Sequence, residues 1–177
     1  MKKVLISILF LLLVLPATVC AKDKIKAIVE LKTYPLDSMK GVISKIQNIE
    51  IDEEISSDGK ASLKIKATEP ISVNLYKTGD LNVENAELVY QAKIKTENFK
   101  GKAFLEMWCN FQGKGRYFSR DLVSPVTGDT KGWVQEETPF YLKKGENPDD
   151  VELNVVINGT GTVWIDDVKL IKKPLRK

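Results

Sequence analysis

The segment from Val151 to Ile171 constrains this chain more than any other, because its apolar residues alternate with a period of two and then change phase. Val151, Leu153, Val155 and Ile157 share one face of an extended chain, and Val163 and Ile165 continue on odd positions. Val168 and Leu170 are even, so the apolar face shifts by one residue across Asp166-Asp167. Such a slip turns core side chains into solvent unless the strand bulges, so a bulge is expected at the acidic pair. Between the two runs, Asn158-Gly159-Thr160-Gly161 carries turn chemistry and predicts a hairpin.

The same period recurs upstream. Ala61, Leu63, Ile65 and Ala67 alternate with polar residues, Pro70 interrupts, and Ile71, Val73 and Leu75 resume, which predicts an antiparallel pair. Leu88, Tyr90, Ala92 and Ile94 form another such face, and Asn98 to Gly101 predicts a turn into the run Ala103 to Phe111. Gly113 and Gly115 then turn the chain into Arg116 to Leu122, and a further strand runs from about Trp133 to Leu142. Leu36, Met39, Ile43 and Ile46 have helical spacing, but Gly41 and the β-branched residues weaken it, so this region reads as a loop with at most one helical turn. Short strands separated by Gly, Pro and Asn predict an all-β, antiparallel β-sandwich or barrel in one domain.

At the N-terminus, Lys2-Lys3 precedes an apolar run from Val4 to Leu15, then Pro16 and small residues up to Ala21. That run is shorter than the ~20 residues of a membrane span, and Val19-Cys20-Ala21 suits signal cleavage, so residues 1–21 read as a signal peptide. The mature chain, residues 22–177, is then exported to a periplasmic or extracellular location with no transmembrane span. A lipid anchor through Cys20 is the alternative reading.

Without the leader, 25 basic residues face 24 acidic ones, interspersed and without a basic block, which points away from nucleic acid as a partner. Cys109 is then the lone cysteine and alternates with Leu105, Met107 and Phe111, so it reads as a small core residue. The chain has no histidine, which removes His-based nucleophilic catalysis and the commonest ligand of zinc and copper. No Gly-rich phosphate cradle is present. Paired-carboxylate hydrolysis survives on composition, with Glu106 and Glu136 or Glu137 as its only suggestion, yet no motif positions a pair; the chain reads as not an enzyme.

The order Asp58-Gly59-Lys60-Ala61-Ser62-Leu63-Lys64-Ile65, the strand around Tyr90, Gly132-Trp133 and the closing Val163-Trp164-Ile165-Asp166-Asp167-Val168 resembles the galactose-binding-like jelly rolls. Among these it is most similar to bacterial carbohydrate-binding modules. The resemblance implies an antiparallel two-sheet β-sandwich with a jelly-roll core over residues 51–172, preceded by a variable strand and loop over 22–50. It also implies a non-catalytic module whose partner is a glycan or polysaccharide, with a structural calcium near the chain ends and no other cofactor. The alternative is an envelope structural or protein-interaction domain without a glycan ligand.

Sugar recognition needs an aromatic platform beside amides and carboxylates that bond hydroxyls. Trp108 shares its strand face with Glu106 and Asn110, opposite the apolar set, and Gln91 and Tyr117 are expected to flank it from neighbouring strands. The competing reading packs Trp108 beneath a loop or the N-terminal segment. Trp133 reads as core, whereas Trp164 is either packed or lines a groove. Asp166 and Asp167, with Asp58 brought near by the resembled fold, are the calcium candidates, against a bulge that is hydrogen-bonded without an ion. Arg116 to Asp121 concentrates charge and aromatic area after a Gly-Lys-Gly turn and reads as a solvated strand with internal ion pairs.

Overall fold

The computed structural model describes residues 28–175. The leader, its cleavage site and Cys20 lie outside the described residues. Among the described residues there are nine strands and no helix, so none is long and apolar enough to cross a membrane. The strands are β1 (Val29–Tyr34), β2 (Ile49–Asp52), β3 (Ser62–Ala67), β4 (Ile71–Gly79), β5 (Ala86–Phe111), β6 (Gly115–Arg120), β7 (Val126–Thr127), β8 (Val134–Leu142) and β9 (Asp150–Lys173).

Two strands of 26 and 24 residues organise the whole molecule. β5 and β9 pair antiparallel from Glu87↔Lys173 to Asn110↔Asp150, and each contributes one half to each sheet. In the first sheet β8 pairs the N-terminal half of β5, β9 follows, β3 and β1 share the far edge of β9, and β2 closes on β3. In the second sheet β6 and the short β7 flank the C-terminal half of β5, followed by β9 and β4. The expected turns at Asn98–Gly101 and Asn158–Gly161 are therefore not hairpins. They lie opposite each other where β5 and β9 pass from one sheet to the next, and the β5 register shifts there between Glu97 and Lys100.

Glycine is required at this passage for space. A Cβ on Gly159 would overlap the Lys100 carbonyl oxygen, one on Gly101 would overlap that of Asn158, and one on Gly161 would overlap that of Asn98. The turn-like residues serve close backbone approach rather than chain reversal. The expected pairing of the runs before and after Pro70 is corrected in the same way. β3 and β4 both bond to β9, but in different sheets, and Thr68-Glu69-Pro70 carries the chain between them.

The expected alternation holds throughout the interior. Leu88, Tyr90, Ala92, Ile94, Ala103, Leu105, Met107 and Cys109 are fully buried along β5, and Val151 to Ile157 and Val163 to Leu170 likewise along β9 on the positions expected. At Asp166-Asp167 the phase is restored by a bulge: two steps from Gln91 to Lys93 span three from Lys169 to Asp166, and Asp167 has φ +50°. Leu36 to Ile46 is a loop, in which Ile43 and Ser44 N–H donate to the Leu75 and Asn74 carbonyls. Cys109 is buried in the core, which pushes its thiol up to about 12 and leaves it unreactive.

Candidate functional site

The outer face of the second sheet holds the expected triad. Glu106, Trp108 and Asn110 project there from β5, opposite core residues Leu105, Met107 and Cys109. Because Trp108 pairs with Phe118 and Glu152, its flanks are those residues, and the rings of Trp108 and Phe118 lie 4.9 Å apart. Tyr117 pairs with Cys109 and so leaves β6 on the opposite face. Gln91 lies in the other half of the same strand, in the first sheet, where its amide donates to Glu137 at 2.6 Å. The anticipated flanking by Gln91 and Tyr117 fails because β5 is one strand crossing both sheets, and because the β6 register places Phe118 opposite Trp108.

This face is internally saturated. Glu106 is almost wholly buried and accepts from the Trp108 indole at 2.7 Å, from Asn154 at 3.0 Å and from Arg120. Burial alone would raise its carboxyl, but these donors outweigh burial and hold it below the usual carboxylate range. Arg116 stacks its guanidinium 4.2 Å from the Trp108 ring centre and pairs with Glu152, while Asn110 donates to Asp150. Trp108 is thus roofed by Arg116 and is not an open platform. Glu106 faces this outer surface and Glu136 faces the interior, so the two do not form a catalytic pair.

The acidic pair at the bulge has its own partners. Asp166 is buried and accepts from the Ser57 N–H and the Asp167 N–H, both at 2.7 Å, while burial pushes its carboxyl up. Asp167 lies between the ammonium groups of Lys93 and Lys169 at 3.3 and 3.2 Å, and Asp58 is engaged by Lys60 through its backbone and side chain. Calcium needs six to eight oxygen ligands. Lysines occupy the positions where a cation would neutralise Asp167 and Asp58, and no group of three acidic, cysteine or histidine side chains suited to a metal occurs among the described residues. As arranged, these residues do not fit the ion.

The other tryptophans are structural. Trp164 is buried on the outer face of the first sheet between Lys64 and Lys95, each 5.7 Å from its ring, and its indole donates to Asp52 at 2.9 Å. Trp133, expected in the core, is only half-buried at the start of β8 and donates to the Ser56 carbonyl at 3.0 Å. Both indoles help hold the segment after β2 against the first sheet.

A cleft opens elsewhere, between β6 and β8, which are the outer strands of the two sheets on the same side of β5. The Ser119 hydroxyl donates to the Pro139 carbonyl at 2.5 Å and accepts from the Thr138 hydroxyl at 2.7 Å, pinning the two strands together. Two adjoining cavities of about 670 and 460 Å³ share Phe118, Phe140 and Tyr141. Arg120, Asp121 and Glu137 border the first, and Lys114, Lys143 and Glu146 the second. Tyr117 and Tyr141 are 52% and 59% exposed, an open aromatic surface, whereas Phe118, 50% exposed, lies against Trp108 with the Arg120 guanidinium 4.4 Å from its ring centre. Tyr117 belongs to this cleft, where it meets Phe111 edge-on. In the sequence Arg116 to Asp121 reads as a solvated strand with internal ion pairs, and nothing local brings Phe140 and Tyr141 opposite it.

Two antiparallel sheets threaded by a pair of crossing long strands define a jelly-roll β-sandwich, with an aromatic cleft at one edge. No protein-family model and no curated protein matches the chain. Solved structures do. The CBM22-1 xylan-binding domain from Paenibacillus barcinonensis Xyn10C aligns with a TM-score of 0.54 at 15% identity, over 85% of this chain and 99% of that one. A family 16 carbohydrate-binding module gives 0.54 at 11%, over 75% and 91%. The CBM22-1 and GH10 modules of Clostridium thermocellum endo-1,4-beta-D-xylanase 10B, complexed with xylohexaose, give 0.58 at 12%, over 81% of this chain but only 28% of that longer one. At these identities the likeness is one of fold.

Proposed function

We propose that the chain is an exported, non-catalytic module that binds a polysaccharide in the cleft between β6 and β8. The observation that carries this reading is the open aromatic surface of Tyr117 and Tyr141 beside Asp121, Glu137, Arg120 and Glu146. Pyranose rings present apolar C–H faces that stack on aromatic rings, and their hydroxyls bond to nearby carboxylates and guanidinium groups. Two of the fold neighbours are xylan-binding domains, which supports xylan as the first glycan to try. Export rests on the leader pattern of residues 1–21.

The test is affinity electrophoresis of residues 22–177 in gels containing soluble xylan or mannan, with and without chelator. Retardation is expected for the parent protein, and Tyr141→Ala should weaken it by at least about tenfold while the fold persists. A folded protein that no glycan on a broad panel retards sinks this reading. The envelope-interaction alternative draws on Leu122 and Val123, 60% and 94% exposed beside the cleft, and predicts a protein that co-purifies in place of glycan affinity.

A further inference from the structure

Glu136 is the anomaly of the interior. It stands on β8 opposite Ala92, on the core-facing side that carries Thr138 and Leu142. It is 5% exposed, and its Oε2 is buried without a hydrogen-bond partner. A carboxylate so placed is costly when ionised. The Ser119–Thr138 and Ser119–Pro139 hydrogen bonds pin β6 to β8, and two residues beyond that pin Asp121 is near enough for its charge to act on Glu136. Asp121 borders the larger cavity of the cleft, and its Oδ1 holds the Val123 and Ser124 N–H groups at 3.0 and 3.2 Å, so it anchors the cleft wall from 121 to 125.

The charged neighbours do not relieve this pair. Arg120 turns to Glu106 on the outer face of the second sheet, and Glu137 turns to Gln91 and Lys173 on the outer face of the first. Ala92 on β5 and Val126 on β7 bring no charge. Burial, reinforced by the Asp121 charge, pushes the Glu136 carboxyl up to about 7.

We propose that Glu136 and Asp121 form a pH-operated latch on the cleft wall: with Glu136 protonated Asp121 stays alongside it and holds the 121–125 segment in place, and loss of that proton drives Asp121 and its segment outward. The latch borders the cleft assigned above to glycans and depends on that assignment only for its effect on binding. Its mechanical part stands by itself.

The experiment follows the Val123 and Ser124 amides of residues 22–177 by nitrogen-15 NMR and hydrogen exchange, without any glycan, from about pH 5 to about pH 8. Both signals should titrate with a midpoint near 7, the value to which Glu136 is pushed, and both amides should lose about tenfold in protection across the range. Glu136→Gln should flatten both responses, and Asp121→Asn, which keeps the buried acid but removes the repulsion, should lower the midpoint of any remaining titration and abolish the loss of protection. Amides that do not respond to pH in the parent, or that respond equally in Glu136→Gln, overturn the latch. Xylan retardation at both pH values is a separate arm, so failure to bind glycan leaves the NMR result intact.

Discussion

The Arg116 guanidinium lies 4.2 Å from the centre of the Trp108 ring and covers the most prominent aromatic residue of the second sheet's outer face. Arg116 is itself held by Glu152, which also meets Lys77 at 3.4 Å, so the stack belongs to a chain of charges crossing the sheet. Removing the roof should expose the indole. Arg116→Ala is expected to increase acrylamide quenching of tryptophan fluorescence, and the increase should vanish when Trp108→Phe is added. The substitution should cost about 1 kcal/mol through lost stacking and packing. Unchanged quenching in Arg116→Ala would mean that the sheet itself shields Trp108.

The crossing of β5 and β9 predicts a sharp hierarchy among glycines. Gly159→Ala forces a methyl into the Lys100 carbonyl, where the facing backbone has no space to yield, and should cost more than about 3 kcal/mol or prevent folding. Gly113→Ala meets nothing within 4 Å and bears only the strain of φ +72°, roughly 1 kcal/mol. Urea melts of both variants test the contrast. Equal losses would show that the facing backbone at the crossing yields to the added methyl.

These glycines also mark where the sequence was misleading. Asn158 to Gly161 satisfies every local rule for a hairpin, and turn chemistry has the same signature as close approach between two backbones. Only the pairing of β5 with β9, set by residues some sixty positions apart, separates the two cases. The bulge at Asp166-Asp167 was legible because it breaks the phase of one strand, a property contained within a dozen residues. The interior was readable for the same reason, as each strand states its own buried face. The cleft was not: Phe118 and Tyr141 meet through the stacking of two sheets, and Trp108 drew notice as a lone aromatic on a polar face although its neighbour Arg116 closes it.

Glu136 gives stability a definite dependence on pH. Its carboxyl stands at about 7 in the folded protein against 4.5 ordinarily, so the folded state holds the proton more tightly than the unfolded one. Stability from this group is therefore complete below about 4.5, falls as pH rises through about 7, and is flat beyond; the total is on the order of 2–3 kcal/mol. Glu136→Gln should match the parent near pH 4 and exceed it by about that amount near pH 8. Denaturation curves at the two pH values decide it, and a constant difference between the proteins would refute the assignment.

Asp52 acts in the opposite sense. Burial would raise its carboxyl, but the Trp164 indole, the Ile55 N–H, Lys64 and the Glu54 N–H outweigh it and hold the group at about 2, against 3.8 ordinarily. Here the unfolded state binds the proton more tightly, so the contribution is present above about 4 and disappears as pH falls through about 2. Allowing for solvent at this sheet edge, it amounts to about 1–2 kcal/mol. Asp52→Asn should lose that much near pH 7 and almost nothing near pH 2. Because Asp52 fixes the indole that lies between Lys64 and Lys95, the variant should also alter the near-ultraviolet circular dichroism of Trp164 at neutral pH. An unchanged tryptophan signal alongside the stability loss would place the cost in the Lys64 ion pair instead of the indole hydrogen bond.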